Sequence, residues 1–407
     1  MNQSLDKQLQ HIVQHAYDNA PAVKAILDGA NLSPGDIQSI ADLDKVPVTS
    51  KDRLIELQQA DPPFGGFLAV SPDELQRVYL LPGPLYIPWA GETALTDTLY
   101  RAITIAGCQA GDVVINTVTH HFNPIGLATD QVLREMGMTV IPAGVGNADL
   151  QIKMMLDLGV TIYLGAPSWL MALIEKAENL GLDFREKFCL RKALLSGEPL
   201  PPSLRETFVE KWGLGIFNAY AVADLGILAC NIEGGFAMRL FESPIVQVVN
   251  PETGQSVPPD EVGEVVVTTF NETYPLIRLG TGDLAINVDP APGQSCQEER
   301  SIILVGRIGD AVKVRNLFVH PNQLRLAVGQ MPEVARVQAI VTRPENRDEL
   351  TVRVVLADES ADRDKLTTAL NTAIRSVCRV KVDRIQFIPA DAFGEDARTL
   401  VDERTWE

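Results

Sequence analysis

Residues 113–166 read VVINTVTHHFNPIGLATDQVLREMGMTVIPAGVGNADLQIKMMLDLGVTIYLGA. VVINTVT (113–119), MTVIPAG (138–144) and VTIYLGA (160–166) are rich in β-branched residues and read as strands. GLATDQVLREMG (126–137) and DLQIKMMLDLG (149–159) carry apolar residues at helical spacing. Strand, helix, strand, helix, strand is the signature of βαβ crossovers and a parallel sheet covered by helices. The alternation continues outward. WLMALIEKAENLG (169–181) and SLRETFVEKWG (203–213) read as helices. ALLSGEPL (193–200) reads as a strand ending in a loop, and IFNAYAVAD (216–224) as a strand followed by a turn. This predicts an α/β part over about 75–225.

The flanks differ. Leu5, Leu9, Ile12, Val13 and Ala16 lie at helical spacing within 3–28. Thr49 or Ser50 can cap a short helix over 51–57. PIVQVVNPETGQSV, GEVVVTTF and YPLIRLGTGDLAINV are short strands separated by Gly, Pro and Asn turns, an antiparallel β portion over about 240–300. The end reads β-β-α-β: VARVQAIVTR (334–343), LTVRVVLAD (350–358), ADRDKLTTALNTAIRSVC (361–378) and DRIQFIPAD (383–391), with a turn at ENRDE. The expected organisation is a large domain over 1–305 and a small α+β domain over 306–407, joined near 309–310. A length of 407 residues fits two to three domains at about 150 residues each.

Lys+Arg 35 against Asp+Glu 53 gives a net charge of −18, which argues against nucleic-acid or anionic-membrane partners. The first residues, MNQSLDKQLQHIVQHAYDNA, have no basic region before an apolar run and do not read as a secretory signal. The longest uncharged apolar-rich run, 158–174, is broken by Gly159, Gly165 and Pro167 and reads as strand, turn and helix start. Five Cys without a CxxC pair read as reduced thiols and a cytoplasmic protein.

Three turns follow strand-like segments: SGEP (196–199), AYAVAD (219–224) and RLGTGDL (278–284). Ligands in parallel α/β sheets bind at the carboxyl ends of strands, where the first two fall. Tyr220 can offer an aromatic face to a base, Asp224 can hold a divalent metal, and Asp283 can accept from sugar hydroxyls. Singly, each also reads as ordinary core or a tight turn.

Their order, with DLDKVPVTSKDRL (42–54), NPETG (250–254), GEVVVTT (263–269), PLIR-GTGDL (275–284) and GR-(x)₂-D (306–310), resembles the phenylacetate–coenzyme A ligase and coenzyme F390 synthetase-like branch of the adenylate-forming superfamily. The resemblance implies activation of a small carboxylic acid, an aryl acid included, with ATP and Mg²⁺ to an acyl-adenylate. The small domain then rotates and a thiol, such as coenzyme A or a thiol carrier, attacks. By the same resemblance, Ser196, Gly197, Glu198 and Pro199 flank the adenine, Tyr220 packs on it, and Asp224 stands at the metal-associated acidic position. Asp283 binds the ribose, and Arg307 reaches the nucleotide from the hinge at Asp310. Lys313 and Arg315 lie on the segment facing coenzyme A. His120, His121, Phe122 and Trp169 are candidates for the acyl pocket, with Trp169 equally readable as core. A homodimer is compatible with the resemblance.

Several positions depart from it. The phosphate loop, expected to be rich in Ser, Thr and Gly and to end in Lys, reads VYLLPGPLYIPWAGE (78–92), where Pro82, Pro84 and Pro88 lack N–H donors. The catalytic lysine position, counted from Val401-Asp402-Glu403-Arg404, falls on Glu395 or Asp396. Leu279 replaces an aromatic and Asn316 a glycine. Cys230 and Cys296 are too few for a structural zinc, so none is expected. These departures leave a second reading open: a ligase-fold homologue that binds an acid or adenylate as an accessory, or that performs only the thioester half-reaction.

Overall fold

A computed structural model describes residues 3–81, 84–91, 93–231, 234–315, 317–344, 348–358, 360–393 and 397–404. The chain forms two compact units. One comprises Met1–Gln247, Val266–Thr281 and Asp289–Ile302; the other comprises Val248–Val265, Gly282–Val288 and Ile303–Glu407.

The first unit holds the parallel sheet. Thr139–Pro142, Val113–Asn116, Ile162–Gly165, Lys192–Leu195 and Gly215–Val222 lie side by side in that order, all parallel. Gly226–Asn231 and Met238–Leu240 extend it antiparallel. The crossover helices are set by local chemistry. Pro124–Glu135 starts with Pro at its first turn, and the Asn123 carboxamide oxygen accepts the Ile125 N–H at 2.9 Å. Ile152, Met155, Leu170, Leu173, Ile174 and Phe208 point into one core with strand residues Ile115, Tyr163, Ala193 and Leu195.

The N-terminal periodicity is observed as two helices, Gln3–Asn19 and Pro21–Gly29, broken where Pro21 cannot continue the first. Leu5, Leu9, Ile12, Val13 and Ala16 are all buried. Ser50 caps the helix Lys51–Ala60 by accepting the Arg53 N–H at 3.1 Å. The segment expected as a phosphate loop forms an antiparallel hairpin, Arg77–Leu81 with Leu85–Trp89. Its register runs from Arg77↔Trp89 to Leu81↔Leu85, so only 82–84 connect the strands. Pro82 and Gly83 lie outside the described residues. Gln58 braces the hairpin: its carboxamide donates to the Tyr86 carbonyl at 2.7 Å and accepts the Tyr86 N–H at 2.8 Å.

Four strands, Ile245–Val249, Val262–Thr268, Leu279–Val288 and Ser301–Arg307, are hydrogen-bonded in that order, and the chain passes between units along each. The second unit contains a further sheet ordered Arg384–Phe387, Glu349–Leu356, Val334–Thr342 and Leu400–Asp402. The helices Pro321–Val328 and Arg363–Cys378 pack on it through Leu324, Val328, Leu366, Leu370 and Ile374. The expected β-β-α-β pattern is present, and the last strand, not anticipated, pairs parallel at Ala339↔Leu400. Residues 345–347 of the expected ENRDE turn lie outside the described residues.

Within the first unit the fully buried Arg278 secures the N-terminal segment. Its guanidinium donates to the Val46 carbonyl at 2.6 Å and to Asp44 at 3.3 Å. Its backbone, at φ +53, accepts from Thr49 N at 3.0 Å and donates to Thr268 Oγ1 at 3.0 Å. Removing one partner of a buried charged pair leaves desolvated groups behind. Arg278→Met is therefore expected to cost about 2–4 kcal/mol of stability, measured by denaturant unfolding. Arg278→Lys is expected to recover only part of it, because an ammonium lacks the two-pronged fork.

Candidate functional site

The parallel strands end together at a crowded edge. Gly165 has φ +157, and a Cβ there would lie 2.0 Å from Thr117 Oγ1 and 2.7 Å from the Tyr163 hydroxyl. Tyr163 donates to the Ala166 carbonyl at 2.8 Å, which sets the turn into the helix Pro167–Asn179. Burial pushes the Tyr163 phenol well above its usual range, so it stays a donor. SGEP follows the neighbouring strand. Ser196 N donates to the Gly165 carbonyl at 3.1 Å, Gly197 adopts φ +89, and Glu198 accepts the Ser168 N–H at 2.5 Å. A carboxylate at a helix N-terminus satisfies an orphan donor and the helix dipole, so Glu198 fastens the loop. Tyr220, on the next strand, is buried at 8% exposure.

Asp224 lies past the end of that strand with its side chain wholly buried. Oδ1 pairs with Lys51 Nζ at 3.1 Å, and Oδ2 is buried with no hydrogen-bond partner among the described residues. Lys51 opens the helix that Ser50 caps. Nothing in DLDKVPVTSKDRL marks Lys51 as a site residue beyond its place beside a capping serine. Asp224 lines a cavity of about 560 Å³ with Trp89, Asp97, Thr98, Arg101 and Leu225. His120, His121, Phe122 and Trp169 do not line it, although Pro124 does. Phe122 is 72% exposed at φ +61, and its carbonyl accepts the Leu80 N–H of the hairpin at 3.0 Å. Asn116 Nδ2 lies 3.5 Å from His120 Nε2, and His121 N donates to Thr119 Oγ1 at 3.2 Å. Trp169 packs against the helical core and donates its indole N–H to Gln151 at 2.9 Å.

The remaining named residues belong to the second unit. Asp283 Oδ1 lies 2.9 Å from Arg307 Nε, so the structure brings these two together. Asp310 is exposed, 3.9 Å from the buried His320 Nε2. Arg315, at φ +49, spends its donors internally: N and Nε on Asp348, Nη1 on the Lys381 carbonyl at 3.0 Å, and Nη2 on Asp383. The Lys313 side chain, Asn316, Glu395 and Asp396 lie outside the described residues. Leu279 is buried on its strand. Among the described residues no three His, Cys, Asp or Glu side chains converge as a metal-binding group. Cys230 is buried and Cys296 half-buried, and both are free thiols. No helix among the described residues is long and apolar enough to cross a membrane.

A family model described as AMP-binding enzyme matches residues 97–271, the stretch that contains SGEP and AYAVAD. A phenylacetate–coenzyme A ligase from Thermus thermophilus is 27% identical over 394 residues, 91% of this chain and 87% of that protein. One from Escherichia coli is 26% identical over 93% of this chain and 88% of that protein. These likenesses support the phenylacetate–coenzyme A ligase branch of the adenylate-forming superfamily as the group this chain resembles over most of its length. Its fold is that of adenylate-forming ligases. A 2-hydroxyisobutyryl-CoA ligase in an open conformation, in complex with 2-HIB-AMP and CoA, superposes with TM-score 0.82 over 99% of this chain and 91% of that one, at 23% identity.

The C-terminal VDER ending is a clasp. Arg404 grips Asp402 with Nε–Oδ1 at 2.8 Å and Nη2–Oδ2 at 2.7 Å, and reaches Asp348 at 3.3 Å. Burial works against the Asp348 carboxylate, but the Arg315 N–H, Arg343 and Arg404 more than offset it, and its pKa lies below the usual range. A depressed carboxyl pKa contributes stability above the unfolded value of about 3.9, and that contribution is lost as pH falls through the folded value. Thermal unfolding is therefore expected to show a drop in Tm below about pH 4, and Arg404→Met to flatten that drop while lowering Tm at neutral pH. A double-mutant cycle of Lys51→Met and Asp224→Asn, followed by unfolding, is expected to give a coupling of about 1–3 kcal/mol.

Proposed function

We propose that the protein activates a carboxylic acid, with aryl acids as the class, by AMP-forming ligation to a thiol, coenzyme A in the first instance. The observation that carries this reading is that SGEP and AYAVAD sit at the carboxyl ends of adjacent parallel strands, inside the stretch matching AMP-binding enzymes. Relatives named phenylacetate–coenzyme A ligase, which align over most of the chain, supply the acid class and the thiol.

In the first step a carboxylate oxygen of the acid attacks the α-phosphorus of ATP. The P–O bond to the β-phosphate breaks, giving acyl-adenylate and pyrophosphate. In the second step a thiolate sulfur attacks the acyl carbon and AMP leaves with the electron pair of the C–O bond. Ser196, Gly197, Glu198 and Pro199 form the wall beside the adenine, and Tyr220 stacks on its face. Asp283, steered by Arg307, accepts from the ribose hydroxyls. His120, His121 and Phe122 border the acyl group, with Trp169 supporting from the core. Lys313 belongs to the segment assigned to the incoming thiol, and Arg315 braces that segment. The small domain is proposed over 306–407 with its pivot near Asp310.

Magnesium ions are commonly held by one or two carboxylates together with substrate phosphates. The partnerless buried Oδ2 of Asp224 fits that pattern as a single protein donor. Bound there, Mg²⁺ would offset the charge of the phosphates. The three-residue hairpin connection offers few N–H donors, so binding is expected to rest on the nucleoside side more than on the phosphates.

With ATP, Mg²⁺ and a panel of aryl acids, pyrophosphate release is expected, followed by AMP release when coenzyme A is added. Tyr220→Ala is expected to weaken AMP binding by about tenfold in calorimetric titration, the usual order for loss of a base-stacking ring. Absence of both AMP binding and pyrophosphate release would favour the accessory reading instead.

A further inference from the structure

GEVVVTT and GTGDL look like independent turn and strand signatures, yet they share one hydrogen bond. Glu264 is the second residue of GEVVVTT and sits on the strand Val262–Thr268 among Val265, Val266 and Val267. Its side chain is buried, with the residue at 7% exposure. A carboxylate in such a place is costly unless it is hydrogen-bonded. Glu264 Oε1 accepts the backbone N–H of Gly282 at 2.9 Å.

Gly282 is a position whose backbone favours glycine. Its φ is +75, a conformation that L side chains adopt only under strain. The next residue is Asp283, whose carboxylate lies 2.9 Å from Arg307 Nε. A rigid acceptor under Gly282 therefore fixes the peptide that aims Asp283, while Arg307 fixes the carboxylate from the other side.

We propose that Glu264 is a positioning residue for nucleotide binding: by holding Gly282 in its left-handed turn it points Asp283 at the ribose. The role rests on the ligase reading above, in which Asp283 accepts from the ribose hydroxyls. Glu264 itself touches no nucleotide. Burial, with Asp283 nearby, raises its carboxyl above the usual range despite the Gly282 N–H, so a neutral side chain that keeps an acceptor oxygen for Gly282 N is expected to serve in its place.

That last property sets the test. Glu264→Gln keeps the acceptor and removes the charge; Glu264→Met keeps the volume and removes the acceptor. AMP affinity by calorimetry and KM for ATP and for the acid in pyrophosphate release are measured on both, at a temperature where circular dichroism shows them folded. Glu264→Met is expected to weaken AMP and raise KM for ATP about tenfold, with KM for the acid within about twofold. Glu264→Gln is expected to stay within about twofold of wild type in all three. In an Asp283→Asn background, Glu264→Met is expected to add little, because it acts through Asp283. Wild type that binds AMP alongside an equally tight Glu264→Met overturns the positioning role alone. So does an equal loss for ATP and acid, or full additivity with Asp283→Asn. Wild type that binds no AMP overturns the ligase reading and this role together.

Discussion

The buried guanidinium of Arg278 is the constraint on which the arrangement of the first unit depends. A charge taken out of water must be met by fixed partners, and here these are the Val46 carbonyl and Asp44. The same residue's carbonyl takes the Thr49 N–H, so residues 44–49 are held at several points along their length. Ser50 then caps the next helix and Lys51 leaves its first turn toward Asp224. Asp224 thus receives its cation from a segment placed by a guanidinium in PLIR. Two motifs far apart in the chain form one mechanical linkage.

The second unit uses the same physics with other residues. Asp348 collects Arg315, Arg343 and Arg404, which ties the loop after the proposed pivot to the C-terminal strand. Arg315 is consequently a structural brace, and its backbone at φ +49 is stabilised by the contacts it makes. Glu264 holds the Gly282 N–H, and Arg307 holds the carboxylate of the next residue, Asp283. In each case a side chain whose identity seemed chemical is fixed by, or fixes, a backbone turn.

The hairpin at 77–89 explains why the phosphate-loop composition is absent. A glycine-rich loop presents N–H groups because its backbone is unpaired. Here the backbone groups are spent on cross-strand pairs up to Leu81↔Leu85 and on Gln58, and Pro84 before the second strand has no N–H to offer. The carboxyl edge of the parallel sheet, by contrast, keeps a tyrosine, a loop with its own backbone anchors and a buried aspartate.

The sequence by itself determined what is local. The alternation in 113–224 encodes the parallel sheet, because helix and strand periodicities differ and each must bury one face. Thr49 or Ser50 marked one helix start through short-range capping, and the motif order pointed to the ligase fold. The clasp strand Leu400–Asp402 was not legible, since three residues carry no periodicity of their own. Only the tertiary structure decided the pairings of distant charges. Lys51 and Asp224 are 173 residues apart, Arg404 and Asp348 are 56, and Glu264 and Gly282 are 18. Composition cannot state which carboxylate meets which donor, because that depends on where the sheet order and crossovers bring the strand ends. Burial then makes each such meeting obligatory.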